Sequence, residues 1–322
     1  MAQPRRLLGI GGAHIDRRGR LFADFVGGAS NPGTMREEVG GGVFNALRLA
    51  RQFGVQCAFL SARGGDIQGE TVARAIKAAG MKDLSSIFLD RPTATYTAIL
   101  DRSGEVIAAL ADMEIYETAM PRQISRRKTR DAIDACGAVL TDANMPAEAI
   151  HRLMALAGSK PVYAIAISPA KAVRLSGHLD RLHCVFMNMR EAKALAGFAP
   201  DVSVAPSDIM TSLMDAGLAR AVVSDGPSAV RLIDHGSIIE MAPPPARLVA
   251  DVTGAGDALA GMTLASLMNA LPLQEAAKRG IAAAVANVES PQASVDMRNN
   301  VRFLELLAQM NQSARSAPED LS

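Results

Sequence analysis

Short apolar runs alternate along this chain with segments in which apolar positions return every three or four residues. The runs Leu7–Gly12, Cys57–Ser61, Ala138–Thr141, Pro161–Ile167, Cys184–Met187 and Ala221–Ser224 read as buried strands. Helical spacing marks Val43–Phe53, Gly69–Ala79, Ala147–Ala157 and Ile209–Ala216 between them. Such alternation predicts an α/β fold, a mostly parallel central sheet flanked by helices on both faces. Two stretches break the rhythm, Arg17–Val39 and Ser86–Leu110. Within the second, Thr95–Leu100 and Glu105–Leu110 flank the turn Asp101-Arg102-Ser103-Gly104 and predict a hairpin. Together the two stretches predict a small β lid, inserted as segments of about 17–39 and 86–112 in a single domain spanning 1–322. Gly236 and Pro243-Pro244-Pro245 mark late loops, and the polar stretch Gln312–Ser322 is expected to fray.

Composition narrows the class without giving chemistry. A chain of 322 residues, 49% hydrophobic and 21% charged with no Trp, is long enough to bury a sizeable core without covalent staples. The formal charge of +1, from 34 basic and 33 acidic side chains spread along the chain, argues against nucleic acid or an anionic membrane as partner. Cys57, Cys136 and Cys184 stand singly in apolar runs and read as reduced thiols, which suits the cytoplasm. The apolar stretch after Arg5 and Arg6 is short, glycine-broken and closed by Asp16, unlike a signal peptide. The longest uncharged run, Ala258–Gln274, contains Asn269 and Pro272, which argues against a membrane span.

The chemistry concentrates in Asp251-Val252-Thr253-Gly254-Ala255-Gly256-Asp257-Ala258, directly before a helical pattern over Leu259–Ala270. Small residues there leave backbone N–H groups at a helix N-terminus open to an anion, and the helix dipole favours negative charge. Asp257 adds a carboxylate where one would repel phosphate unless it faces a hydroxyl about to lose its proton, so it reads as a general base. The plainer alternative is a helix N-cap with glycines easing the turn.

This octapeptide resembles the second signature of the PfkB (ribokinase-like) carbohydrate kinases. Gly40-Gly41-Gly42-Val43-Phe44-Asn45 is similar to the family's first signature, Gly-Gly-x-x-x-Asn. The resemblance runs from Leu7 to about Glu289, with the motifs in the family's order. It implies the ribokinase-like fold and transfer of the ATP γ-phosphate to a primary hydroxyl. In that scheme Gly254, Ala255 and Gly256 present N–H groups to the phosphoryl oxygens and Asp257 accepts the proton. Asp16 and Asn45 would bond acceptor hydroxyls, with Gly41 and Gly42 letting the sugar approach the backbone. Asn188 and Glu191, matching an Asn-x-x-Glu element, would organise Mg²⁺ through water; their alternative is a helix-start cap. Ser224, Gly226, Thr253, Gly254, Gly256 and Asn287, with Asn188, would contact ATP, and Asp225 departs slightly from the pattern. Asp251 and Thr253 match positions that help hold a monovalent cation in relatives, which implies activation by K⁺.

Within the family, Ala29-Ser30-Asn31-Pro32-Gly33, Thr93-Ala94-Thr95-Tyr96 and Ala111-Asp112-Met113 resemble stretches of pseudouridine kinases. That likeness implies pseudouridine as acceptor, with Ser30, Asn31, Thr95 and Asp112 near it and a lid closing over base and ribose. Alternatively, Asn31-Pro32-Gly33 is a turn and Thr95 and Tyr96 are strand formers. Other acceptors in view are a free sugar or sugar acid, such as ribose or ketodeoxygluconate, or another nucleoside. A catalytically inactive ligand-binding protein is the alternative outside the kinases. The lid's sheet edges suggest a homodimer. Gly9-Ile10-Gly11-Gly12 hints at a dinucleotide fold, but His14 occupies the third glycine position and the fingerprint fails. His14 beside Asp16 reads as a strand-end histidine packing locally.

Overall fold

The computed structural model describes residues 5–290 and 295–313. Strands buried on both faces read as near-continuous apolar runs, and here those runs lie side by side. Nine strands form one sheet in the order Ser237–Met241, Val230–Asp234, Arg220–Ser224, Cys184–Asn188, Val162–Ile165, Ala138–Asp142, Arg6–Ile10, Gln56–Leu60 and Lys82–Asp83. All pairings are parallel except those of Val230–Asp234, which runs antiparallel to both neighbours.

Alternate side chains supply two cores. Leu7 and Leu140 face Phe44, Leu47 and Leu264 on one side, while Leu8, Ile10 and Val139 face Ile133, Ile150 and Leu153 on the other. This is the expected α/β architecture. The terminal hairpin went unread because Gly236 signalled only a loop; His235 and Gly236 both have positive φ, 48° and 88°, as a tight two-residue hairpin turn requires. Helices Glu114–Ile124, Arg127–Ala135, Leu273–Val288 and Val301–Ser313 also lie outside the segments the periodicity picked out. The last runs through Gln312 into the stretch expected to fray, and 314–322 lie outside the described residues.

A separate small sheet orders Gly33–Gly40, His14–Leu21, Thr95–Leu100 and Val106–Asp112. It contains the predicted hairpin, whose second strand continues to Asp112. The sheet begins at His14 rather than Arg17, and Ser86–Phe88 pairs instead with Ala62–Gly64. Among the described residues no helix is long and apolar enough to cross a membrane.

One feature of the large sheet positions a site. After Arg6–Ile10 the chain builds outward to one side, through Gln56–Leu60, and later to the other, through Ala138–Asp142. Connections leaving in opposite directions open a crevice at the strands' carboxyl ends, where ligands bind in open α/β sheets.

Candidate active site

Glycines within and just after the first strand shape this crevice. A Cβ on Gly9 would fall 2.3 Å from Leu47 Cδ1, so its absence lets helix Gly42–Gln52 lie close on the strand. A Cβ on Gly11 would fall 2.7 Å from Asp142 Oδ2. The run that hints at a dinucleotide fingerprint is therefore a packing device. Asp142 is fully buried, accepting from Gly12 N at 3.1 Å and Asn144 N at 3.0 Å, and burial pushes its carboxyl pKa upward.

Helix Ala255–Met268 opens at Gly254, whose φ of 74° is the left-handed conformation that favours glycine. Close approach then fixes its position: a Cβ on Gly261 would meet Ala46 O at 2.7 Å, and one on Gly280 would meet Thr263 Oγ1 at 2.1 Å. The helix is thus clamped between Gly42–Gln52 and Leu273–Val288. First-turn N–H groups lack an intrahelical acceptor and concentrate positive potential at this end. Ala255 N also reaches Val252 O, at 3.4 Å.

Asp257 sits in that first turn. Asn45 donates from Nδ2 to Asp257 Oδ2 at 2.8 Å, and Arg48 donates from Nη2 to Asn45 Oδ1 at 3.1 Å. Arg48, lying 5.3 Å over the Phe44 ring, therefore fixes which end of the Asn45 amide faces the carboxylate. Burial is the main cause that pushes the Asp257 carboxyl up to about 6; the charges of Asp16 and Asp142 add to the rise, while the Asn45 bond and His14 oppose it. A carboxylate with that pKa remains ionised at neutral pH and is a stronger base than an exposed one.

The other predicted acceptor residues lie beside it. Gly40 accommodates Asp16, since a Cβ there would fall 2.0 Å from Asp16 Oδ2. Gly41 has φ of 120° and its missing Cβ would meet Gly12 O at 2.2 Å; a Cβ on Gly42 would approach Ile167 Cδ1 at 2.8 Å and Asp257 Oδ1 at 3.4 Å. His14 Nε2 lies 3.1 Å from Asp16 Oδ1, and its ring packs at 6.5 Å from Tyr116.

Among the residues expected near ATP, Asn188 caps helix Met189–Leu195 in a reciprocal box with Glu191. Asn188 Oδ1 accepts from Glu191 N at 2.9 Å, and Asn188 N and Nδ2 each donate to the Glu191 carboxylate at 2.9 Å. The helix-start cap is thus present. Glu191 is buried, and its carboxyl pKa is raised first by desolvation and further by Asp257. Ser224 lies opposite Asn188 on the adjacent strand, and Gly226 follows with φ of 56°. Asn287 is buried beneath the cradle, donating to Thr253 O at 2.9 Å.

Asp251 is ion-paired. Arg18, from the small sheet, donates from Nη1 to Asp251 Oδ2 at 2.9 Å, and Asp251 Oδ1 accepts from Thr253 N at 2.8 Å.

The residues expected near a base lie along the small sheet and its loop. Thr95 pairs with both Ile15 and Asp112 across strands, while Ser30 is exposed in the loop before Gly33–Gly40. Asn31 closes that loop: its Oδ1 accepts from Val26 N at 2.8 Å and its Nδ2 donates to Val26 O and Ala29 O at 2.9 Å. The turn alternative therefore describes Asn31 as it stands. Thr93 likewise ties the chain locally, donating from Oγ1 to Asp66 at 2.5 Å and accepting from Gly64 N at 2.9 Å.

Arg18, Arg48 and Asp142 were missed in the sequence. Asp142 had a usable signal, a carboxylate ending an apolar strand of a parallel sheet. Neither arginine belongs to a local motif.

A family model described as pfkB family carbohydrate kinase matches residues 10–300. A pseudouridine kinase from Escherichia coli (strain K12) is 26% identical over 270 residues, covering 84% of this chain and 86% of that one. Among solved structures, a carbohydrate kinase from Agrobacterium tumefaciens superposes with a TM-score of 0.81 at 42% identity, covering 94% of this chain and 97% of that one. An Arabidopsis thaliana ribokinase, complexed with ribose and ATP, shares the fold with a TM-score of 0.79 at 20% identity, covering 95% and 99%.

Proposed function

The chain belongs to the pfkB family of carbohydrate kinases, and on that premise we propose that it transfers the γ-phosphate of ATP to the 5′-hydroxyl of pseudouridine, giving pseudouridine 5′-phosphate and ADP. The observation that carries this reading is Asp257 in the first turn of helix Ala255–Met268, held by Asn45 and raised toward neutral pH. Asp257 takes the hydroxyl proton as that oxygen bonds to phosphorus and the bond to the ADP oxygen breaks. N–H groups at Gly254, Ala255 and Gly256 receive charge on the phosphoryl oxygens. Little more is needed, because phosphoryl transfer depends chiefly on positioning and charge stabilisation.

Mg²⁺ suits this donor set. Glu191 is buried and feels the charge of the half-buried Asp257 carboxylate, with the Asn188 amide oxygen beside it. Asn188 and Glu191 would hold it through water, and the ion would offset phosphate charge.

Pseudouridine is supported by the relative of that name and by the stretches around Ser30, Thr95 and Asp112, which share the small sheet and its loop with Asp16. A second reading, a free sugar as acceptor, is favoured by Asn31, whose amide already serves its own loop. Coupled release of ADP from Mg-ATP with pseudouridine, uridine, ribose and ketodeoxygluconate tests both. Turnover confined to pseudouridine and lost in Asp257→Asn is the expected result; turnover on a free sugar alone would replace the acceptor and keep the mechanism.

A further inference from the structure

The family resemblance implies a monovalent cation near Asp251 and Thr253, and the donors found there do not fit one. Such an ion is held by oxygens that replace its water. Here Asp251 Oδ2 receives the Arg18 guanidinium at 2.9 Å, Asp251 Oδ1 receives Thr253 N at 2.8 Å, and Thr253 O receives Asn287 Nδ2 at 2.9 Å. The carboxylate charge is balanced, and an added cation at bonding distance from Oδ2 would sit against the guanidinium. Asp251 and Arg18 are both partly buried, so solvent screens the pair only in part.

We propose that Arg18 takes the place of the monovalent cation, holding Asp251 and the turn into Gly254 in position so that phosphoryl transfer is independent of K⁺. The inference rests on the kinase reading for its activity arm alone. Arg18 is a positioning residue: it acts through Asp251, whose Oδ1 fixes the Thr253 N–H and so the backbone entering the cradle. Arg18 also ties the small sheet to the cradle, since it lies in the strand His14–Leu21.

Thermal melting of the ligand-free protein in KCl and in choline chloride at equal ionic strength tests this without an acceptor. Wild type is expected to melt at the same temperature in both salts. Arg18→Met, whose Asp251 carboxylate is released, is expected to melt roughly 2–4 °C higher in KCl than in choline chloride, as a bound ligand would cause. With the acceptor found in the ADP-release panel, the wild-type rate should be equal in both salts, and the Arg18→Met rate should fall in choline chloride and recover in KCl. Selective stabilisation of wild type by K⁺ would overturn the proposal, and so would an Arg18→Met protein indifferent to K⁺. Failure of the panel on every acceptor would count against the kinase reading and leave the melting result to decide this one.

Discussion

Helix Ala255–Met268 is buried along most of its length, whereas strands Gly33–Gly40 and Val106–Asp112 leave nearly every side chain exposed. In the first region, close contacts of Gly261 with Ala46 O and of Gly280 with Thr263 Oγ1 and Leu259 O leave little room for adjustment. The second is held mainly by cross-strand hydrogen bonds, with Met35, Val106 and Leu110 facing solvent. The difference assigns work. A tightly packed element can hold a base in place at its half-buried first turn, while a solvated sheet can move and adapt to an acceptor. Changes in the cradle should therefore alter the chemical step, and changes in the small sheet should alter binding.

The largest effect is expected at Asp257. Asp257→Asn should lower kcat by about 10²–10⁴-fold, the range for a positioned general base. In wild type, kcat/KM should rise with pH through a midpoint near the Asp257 value of about 6, because only the ionised carboxylate accepts a proton. Stability should move the opposite way. The folded pKa lies above the ordinary value of 3.8, so the folded state binds the extra proton between about pH 4 and 6, and this contribution is lost as pH rises through about 6. Asp257→Asn should then melt above wild type at pH 8, with the gap closing toward pH 4. A variant that melts lower at pH 8 would sink the raised-pKa account.

The same contrast explains what could be read from sequence. The cradle is a contiguous octapeptide, and Gly254, Ala255, Gly256 and Asp257 stand where a glycine-rich helix start demands them. The parallel sheet was legible because a strand buried on both faces leaves an apolar run that a solvated strand does not. Arg18 and Asp142 act through partners 233 and 130 residues away, and Arg48 acts through the side chain of Asn45, which no motif reports. Within the small sheet, the hairpin turn at Asp101–Gly104 carried a signal, but Ser86–Phe88 was misplaced because its partner, Ala62–Gly64, is set by tertiary packing. Asn31 shows the limit of composition: an amide capable of reading a base edge is here engaged by its own loop.

A middle-sized effect is expected at Arg48, which touches no reacting atom. Its bond to Asn45 Oδ1 keeps Asn45 Nδ2 aimed at Asp257. In Arg48→Met the Asn45 amide is free to turn, which would set its carbonyl against the carboxylate. Loss of the Arg48 charge pushes in the same direction, since Asp257 and Arg48 attract. kcat/KM at pH 7 should fall about tenfold, near the worth of one hydrogen bond to a charged group, about 1.5 kcal/mol. The distinguishing readout is the pH–rate midpoint, which should move upward and return partway in Arg48→Lys. An unchanged midpoint with a lowered melting temperature would make Arg48 a packing residue only.

The smallest effect is expected at Asn31, and it bears most directly on the acceptor. In Asn31→Ala the loop loses its ties to Val26 and Ala29, all of them at the surface. Exposed bonds of this kind contribute little, so melting should fall by no more than about 3 °C. If the loop merely frames the site, kcat should change less than about threefold and KM for pseudouridine should rise modestly, as for a loss of uniform binding. A loss beyond about a hundredfold on pseudouridine with melting intact would mean something different. The amide would then have to leave Val26 and Ala29 when substrate arrives and turn to the base, because a site built to hydrogen-bond a polar edge discriminates on that scale while a turn former does not. That outcome would move Asn31 from scaffold to specificity and would make the exposed sheet, rather than the buried cradle, the part of the molecule that chooses its substrate.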